Sequence, residues 1–244
     1  MNIDYPNLSQ VPQLRQLWQE AFGDTDSFLD QFFSFAFSPR RCLCATIGCE
    51  LAAMAYWFSC EEYAYIYAVA TAEKHRGKGI CHTLMDKMHH ILLQEGYAGC
   101  IVMPGEESLR NFYQGMGYAN FGGVHEFHCD AGTPLLLRKV SKDEYAALRR
   151  NYLPAGGVVQ EGENLSFLSC WANYYEGPNV LVTALWEDGE LNVMELLGDE
   201  NAAPGIVAAL GAKCGSFRTP GTTPYAMHRP LKKNQAPKYF AFCF

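Results

Sequence analysis

The sequence predicts an α/β fold, an α+β arrangement on a mixed sheet, followed by a second and smaller α+β part. Three observations carry this. Tyr63, Tyr65, Tyr67 and Val69 alternate with Ala64, Ile66, Ala68 and Ala70, the period of two that marks a strand. Ile80, Leu84, Met88, Ile91 and Leu92 fall on one face of a helix. Between them, Arg76-Gly77-Lys78-Gly79 makes a joint too short and too glycine-rich to be anything but a turn from strand into helix.

The other elements follow in chain order. Leu14, Leu17, Trp18, Ala21 and Phe22 mark a first amphipathic helix, which Gly23 ends. Asp24 or Thr25 caps a second helix that carries Phe28, Leu29, Phe32, Phe33 and Phe37 and stops at Pro39. Residues 41–47 and 51–60 read as a hairpin turning at Gly48-Cys49-Glu50, and the strand from Tyr63 to Thr71 follows it. After the glycine joint come a helix to about Glu95, a buried strand Cys100-Ile-Val-Met103 and a short helix around Tyr113. Residues from Tyr118 onward, with Val124 to Cys129 as strand, close this first part.

The turn-forming cluster Asp130-Ala-Gly-Thr-Pro134 divides the chain into expected domains of residues 1–130 and 131–244. Beyond it, residues 143–151 and 165–175 read as helices. Residues 180–186 and 191–197 form a hairpin about Asp188-Gly189. Pro204 opens a short helix through Leu210, Gly215 to Pro220 is a strand, and Tyr239 to Phe244 is expected as a last strand. This order loosely repeats the first half. No Arg-x-x-Gly-x-Gly pattern follows Glu195-Leu-Leu-Gly198, so the repeat would lack the glycine joint.

Composition sets limits on function. The 244 residues are 49% hydrophobic and 18% charged, enough for a sizeable core in one large domain or two small ones. The N-terminus has neither the basic start nor the apolar run of a signal peptide, and Glu50 interrupts the most apolar stretch, so a soluble cytoplasmic protein is expected, with no membrane contact. The ten cysteines sit mostly in apolar runs and read as reduced, buried thiols. Cys42, Cys44 and Cys49 match no zinc spacing, and His82, His89 and His90 have no arranged carboxylate or thiol partner, so no metal is expected. Residues 1–130 hold 8 Lys/Arg against 15 Asp/Glu, which argues against a nucleic-acid partner. Such a surface would favour a cationic substrate, although acidic surfaces also serve solubility alone.

The glycine joint is the candidate site. Two glycines let the backbone approach a ligand closely, and the amides and dipole of a helix N-terminus meet there with two cations, a setting suited to a diphosphate. Downstream lies Phe112-Tyr113-Gln-Gly-Met-Gly117-Tyr118. Together the two stretches resemble the GCN5-related N-acetyltransferase (GNAT) superfamily. Its acetyl-coenzyme A loop, Arg/Gln-x-x-Gly-x-Gly/Ala, is matched by Arg76, Gly79 and Cys81, with Cys81 standing where Gly or Ala is usual. Its Phe-Tyr-x-x-x-Gly-Tyr/Phe pattern is matched by Phe112, Tyr113, Gly117 and Tyr118. The order of elements in residues 1–130 is the superfamily's order. The two-part chain is similar to the doubled units of Eis-type acetyltransferases, which would make the second part a degenerate GNAT-like unit; an unrelated α+β appendage is the alternative.

The resemblance implies the acyl-CoA N-acyltransferase (GNAT) fold and transfer of an acetyl group from acetyl-CoA to a primary amine by direct attack. It places the pantetheine at Val69 and Thr71, the diphosphate at Arg76, Gly77, Lys78, Gly79, Ile80 and Cys81, and the general acid at Tyr113. An amine must be neutral to attack, so a base or a water relay is needed. Residues 63–70 hold no carboxylate. Glu61 and Glu62 read as a solvated turn, His125 and His128 point to opposite faces, and a C-terminal carboxylate at Phe244, the Eis-type solution, transfers doubtfully. No base is assigned. The Tyr63/Tyr65/Tyr67 stripe could line an acceptor pocket by cation–π attraction, against the plainer reading of good strand residues. A non-catalytic coenzyme A sensor or scaffold, or transfer of a longer acyl group, are the alternatives to acetyl transfer.

Overall fold

The computed structural model describes residues 1–233 and 236–242. The chain forms two compact units: Met1–Ala119 with a returning segment from Met227, and Asn120–Ala226 with a segment from Ala236. The expected break at Asp130 follows the chain linearly, whereas each unit is completed by residues distant in sequence.

In the first unit, α1 (Val11–Phe22) and α2 (Asp26–Phe35) precede β2 (Cys42–Ile47), β3 (Glu50–Cys60) and β4 (Tyr63–Thr71). Thr25 caps α2 by accepting the Phe28 amide at 3.2 Å. Then come α3 (Ile80–Gln94), β5 (Gly99–Val102) and α4 (Glu107–Gln114). A short β1 (Asn2–Asp4), not expected from the sequence, pairs with β2. Antiparallel pairs join β1 to β2, β2 to β3 and β3 to β4, while β4 and β5 run parallel. The unit's last strand arrives from far along the chain, as Met227 to Pro230 pair antiparallel with Val102 to Gly99. One core joins Leu84, Met85, Met88 and Leu92 of α3 to Ala53, Ala55, Trp57, Ala64 and Ile66 of the sheet. At about 25 cal/mol per Å² of apolar surface, this burial is the main force holding α3 to the sheet.

The second unit contains β6 (Ala119–Asp130, from Asn120 on), β7 (Arg138–Val140), α5 (Lys142–Tyr152), α6 (Glu163–Leu168), β8 (Asn173–Gly177), β9 (Val180–Glu187), β10 (Glu190–Gly198), α7 (Ala203–Ala209) and β11 (Cys214–Pro220). β12 (Thr223–Pro230) crosses from this unit into the first. The strand order is β6-β11-β10-β9-β8-β7, with β10 parallel to β11 and the other pairs antiparallel. The β9–β10 turn has φ of 51° at Asp188 and 84° at Gly189, the left-handed pair that a two-residue hairpin requires.

Two expectations need correction here. Residues 165–175 are not one helix: α6 ends at Leu168 and Asn173–Gly177 is β8, paired with β9. Tyr174 and Tyr175 are good strand formers, and sheet pairing overrides the helical spacing of the residues before them. At the C-terminus, Tyr239 makes an isolated bridge to Gly157 rather than a strand, and Cys243 and Phe244 lie outside the described residues.

Candidate functional site

The site begins where two parallel strands part. β4 pairs with β5 only from Tyr63 to Ile66, against Gly99 to Val102. Beyond Ile66, β4 runs on beside β3 alone. Its register slips there: Tyr67 faces Tyr56 and Ala70 faces Met54, so Ala68 and Val69 together oppose Ala55. Ala68 takes φ of 52°, a conformation an L-residue adopts only at a cost of about 1 kcal/mol or more, so this bulge is a built feature. The Ala72 amide donates to the Ala52 carbonyl at 2.9 Å. By strand alternation Ala70 also faces β3, and Val69 and Thr71 turn their amide edges to the side that β5 has left. The Thr71 carbonyl already accepts Arg76 Nε at 3.0 Å, which ties the strand end to the loop.

The loop from Arg76 to Gly79 is exposed, while Ile80 is buried in the core and anchors the start of α3. Gly77 and Gly79 both have φ of 72°, and a Cβ on either would meet nothing within 4 Å. These glycines therefore serve backbone conformation and close approach from outside, not internal packing. Gly79 is the N-cap of α3 and has no side chain to bond the first-turn amides. The first helical bond is Thr83 N–H to Gly79 O, so the amides of Ile80, Cys81 and His82 point out of a 15-residue helix's positive end. Lys78 Nζ reaches back to the Lys74 carbonyl at 2.8 Å. The Cys81 thiol lies against the core, and burial pushes it up to about 11, with a hydrogen bond to Thr71 acting against the rise. It is a protonated, unreactive thiol at neutral pH.

Tyr113, on the last turn of α4, packs between Phe112 and Tyr118 with ring centroids 5.3 and 5.6 Å away. Burial raises its phenol well above the ordinary tyrosine range, and the nearby Cys81 thiol adds to the rise. Its hydroxyl has no hydrogen bond among the described residues, although the ring is only 6% exposed. The structure thus brings Val69, Thr71, the loop and Tyr113 into one unit, with Cys81 linking the loop to the tyrosine.

Sequence reasoning missed the group that holds α4 in place. Arg229, on the returning β12, donates to the Met116 carbonyl at 2.6 Å and to His89 Nδ1 at 2.9 Å. His89 Nδ1 therefore accepts, its proton sits on Nε2, and that nitrogen donates to the Tyr118 hydroxyl at 2.7 Å. Burial, then the Arg229 charge, lowers His89 to about 3. This accounts for His89, which belongs to a clamp on the end of α4. His82 is exposed with its ring edge toward Phe112, and His90 bonds Gln94. Among the described residues, no cluster of three His, Cys, Asp or Glu is arranged to hold a metal.

The base candidates are scattered. Glu61 and Glu62 are exposed in the β3–β4 turn, where Glu61 has φ of 54°. His125 pairs with Glu200 at 3.1 Å and His128 with Ser216 at 3.2 Å, both in the second unit. Phe244 is outside the described residues. Tyr67 packs against Trp18 of α1 and Phe32 of α2, Tyr65 against Phe58 and Tyr67, and Tyr63 against His228, so the stripe does not share one set of neighbours.

The second unit repeats the strand plan, including a register slip in β10 between Val193 and Glu195, but beside that slip stands a buried ion pair. Glu195 is fully buried and takes Arg149 Nε and Nη2 at 2.8 Å each, the Tyr145 hydroxyl at 2.6 Å and the Tyr239 hydroxyl at 3.0 Å. Every carboxylate lone pair is occupied. The seven-residue α7 that follows is reached through Asp199-Glu-Asn-Ala202, without glycine or cation.

Residues 2–121 match the family model of the acetyltransferase (GNAT) domain. A comparison with curated protein sequences gave no match. Among solved structures, the chain is similar to a GCN5-related N-acetyltransferase from Anabaena variabilis (TM-score 0.74, 10% identity, 94% of this chain and 72% of that one). A GCN5-related N-acetyltransferase from Kribbella flavida gives TM-score 0.72 and 17% identity over 94% of this chain and 70% of that one. Eis1 from Mycobacterium abscessus gives TM-score 0.71 and 12% identity over 95% and 74%. At these identities the likeness is one of fold.

Proposed function

We propose that this chain, whose residues 2–121 match the acetyltransferase (GNAT) domain, transfers an acetyl group from acetyl-CoA to a primary amine in a ternary complex. One observation carries this reading: the β4–β5 gap leads, past the bulge at Ala68, straight into an exposed glycine loop on the N-terminus of α3, with the Tyr113 hydroxyl unbonded behind it. Val69 and the Thr71 amide would pair with the pantetheine. Amides from Gly77 to Cys81 would hold the diphosphate, with Arg76 and Lys78 adding charge. The amine nitrogen attacks the thioester carbon, a C–N bond forms, the C–S bond breaks, and the amine loses a proton to water. Tyr113 gives its proton to the departing thiolate and recovers one from solvent. A buried phenol that stays protonated is suited to an acid and unsuited to a base.

The matching strand plans support reading residues from 131 onward as a degenerate GNAT-like unit with no donor site of its own, since the segment from Asp199 to Ala202 that leads into α7 has neither the glycines nor the cations of the first unit's loop. The test is direct. Coenzyme A at 100 times its Kd should raise stability by about 2.7 kcal/mol, and acetyl-CoA should be consumed with an amine panel, the amide being identified by mass. Stabilisation by coenzyme A without any acetylated amine would replace the enzyme with a sensor. Absence of both would remove the donor site.

A further inference from the structure

The absence of a carboxylate from β4 becomes informative beside the narrow space at the bulge. Trp18, Phe32, Phe33, Phe37, Tyr56 and Ala68 line a narrow space between α1, α2 and the sheet, and no lining residue carries a carboxylate or a cation. Its polar tips are already engaged by the protein. Trp18 Nε1 donates to Asp24 at 2.7 Å, the Tyr56 hydroxyl donates to the Ala36 carbonyl, and the Cys42 thiol points at the Leu43 carbonyl at 3.9 Å. The nearby charges on α1 and α2 pair with each other, as Arg15 with Asp30 at 2.8 Å, and the Arg15 guanidinium lies 5.5 Å from the centre of the Phe33 ring. What remains facing the cleft is ring carbon, aliphatic carbon and sulfur. There is room for about one water, some 10 Å³, so a ring enters only as Phe33 and Phe37, half-buried, swing aside.

An alkylammonium ion is a poor fit to these walls. It would enter a site with no carboxylate to hold it, losing hydration worth several kcal/mol, and would then need a base that β4 does not supply. Cation–π attraction returns only part of that loss. An arylamine has neither problem. It is uncharged at neutral pH, its nitrogen lone pair is available without deprotonation, and its ring gains from stacking on aromatic walls beyond area burial alone.

We propose that the acceptor is a neutral, weakly basic amine borne directly on an aromatic ring, which inserts between α1 and α2 at the Ala68 bulge. This rests on the acetyltransferase reading above. The nitrogen attacks the thioester carbon, C–N forms as C–S breaks, and Tyr113 protonates the thiolate. The zwitterionic adduct's acidic N–H is lost to water, leaving an N-aryl acetamide and free coenzyme A.

The experiment uses the full chain, acetyl-CoA, and three acceptors matched for size: 4-methylaniline, benzylamine and n-hexylamine. 4-Methylaniline should give the highest kcat/KM, by at least tenfold, with a profile flat from pH 6 to 9. Phe37→Ala and, separately, Phe33→Leu should lower that value about tenfold while coenzyme A still stabilises each variant as it does the wild type. Preference for benzylamine or hexylamine, with kcat/KM climbing about tenfold per pH unit, overturns the acceptor class and leaves the acetyltransferase standing. Failure to acetylate any of the three, or a wider set of amines, overturns both.

Discussion

Replacing Tyr113 by Phe tests the proposed acid role of the hydroxyl apart from the packing of the ring. The ring contacts Phe112 and Tyr118 and belongs to the core of the first unit. Phe keeps those contacts. The hydroxyl makes no hydrogen bond among the described residues, so its removal leaves no partner orphaned and should change stability by less than about 1 kcal/mol. For a chain of 244 residues that is a shift in Tm of no more than about 2–4 °C. Catalysis should respond very differently. Loss of a positioned general acid costs about 10²–10⁴ in rate, and a thiolate is a good leaving group, so the lower end, about 10²-fold in kcat, is expected. The assay is release of coenzyme A thiol at saturating acetyl-CoA and amine, read beside Tm and the stabilisation by coenzyme A. Because burial raises the Tyr113 phenol well above its ordinary range, wild-type kcat should also show no alkaline loss of the acid below pH 10. A Phe variant within threefold of wild-type kcat refutes the acid role.

Three other substitutions probe the rest of the frame. Gly79→Val forces a β-branched residue to φ of 72°; it should cost about 1–2 kcal/mol and weaken coenzyme A at least tenfold, measured by denaturation and calorimetry. Arg149→Met strands the fully buried Glu195 carboxylate and should cost about 3–5 kcal/mol in urea denaturation, while Arg149→Met with Glu195→Met should recover a large part of that. His89 is about 3 in the fold against about 6.5 unfolded, so the unfolded state binds its proton first; stability is full above pH 6.5 and is lost as pH falls towards 3. That is about 2 kcal/mol at pH 5, and His228, lowered to about 4 by burial, acts in the same direction. His89→Gln should flatten this acid limb, as followed by denaturation at pH 5 and pH 7.5.

The parts of the site that could be read in the sequence are those whose causes are local. A period of two feeding glycines and then a period of 3.6 specifies β4, the loop and α3 within thirty residues, because strand alternation, positive φ and helix amphipathicity act over a few positions each. Asp188-Gly189 declared its hairpin for the same reason. What was hidden depends on partners far along the chain. Arg229 and His89 are 140 residues apart, and nothing in either segment alone selects the other. The short β1 and β7 have too few residues for periodicity to register, and β8 takes its strand form from β9.

The last strands show how this limit bears on function. Residues after α4 leave to pair with β11 in the second unit, and Met227 to Pro230 return to pair with β5 in the first. The strand that delivers Arg229 to the end of α4 is therefore made only after Asn120–Ala226 of the second unit. Tyr113 lies in the last turn of α4 and Tyr118 just beyond it, and Arg229 holds this stretch through the Met116 carbonyl and through His89. A chain cut near residue 130 would retain the loop and Tyr113 but lose the clamp and leave the outer edge of β5 unpaired. On the proposed mechanism, the returning segment that carries Arg229 is a condition for a correctly placed Tyr113. Arg229→Leu in the full chain isolates that dependence: Met116 and His89 lose their donor, α4 loosens, and kcat should fall about tenfold with coenzyme A binding at the loop retained. Unchanged kcat in that variant would show that α4 is held by packing alone.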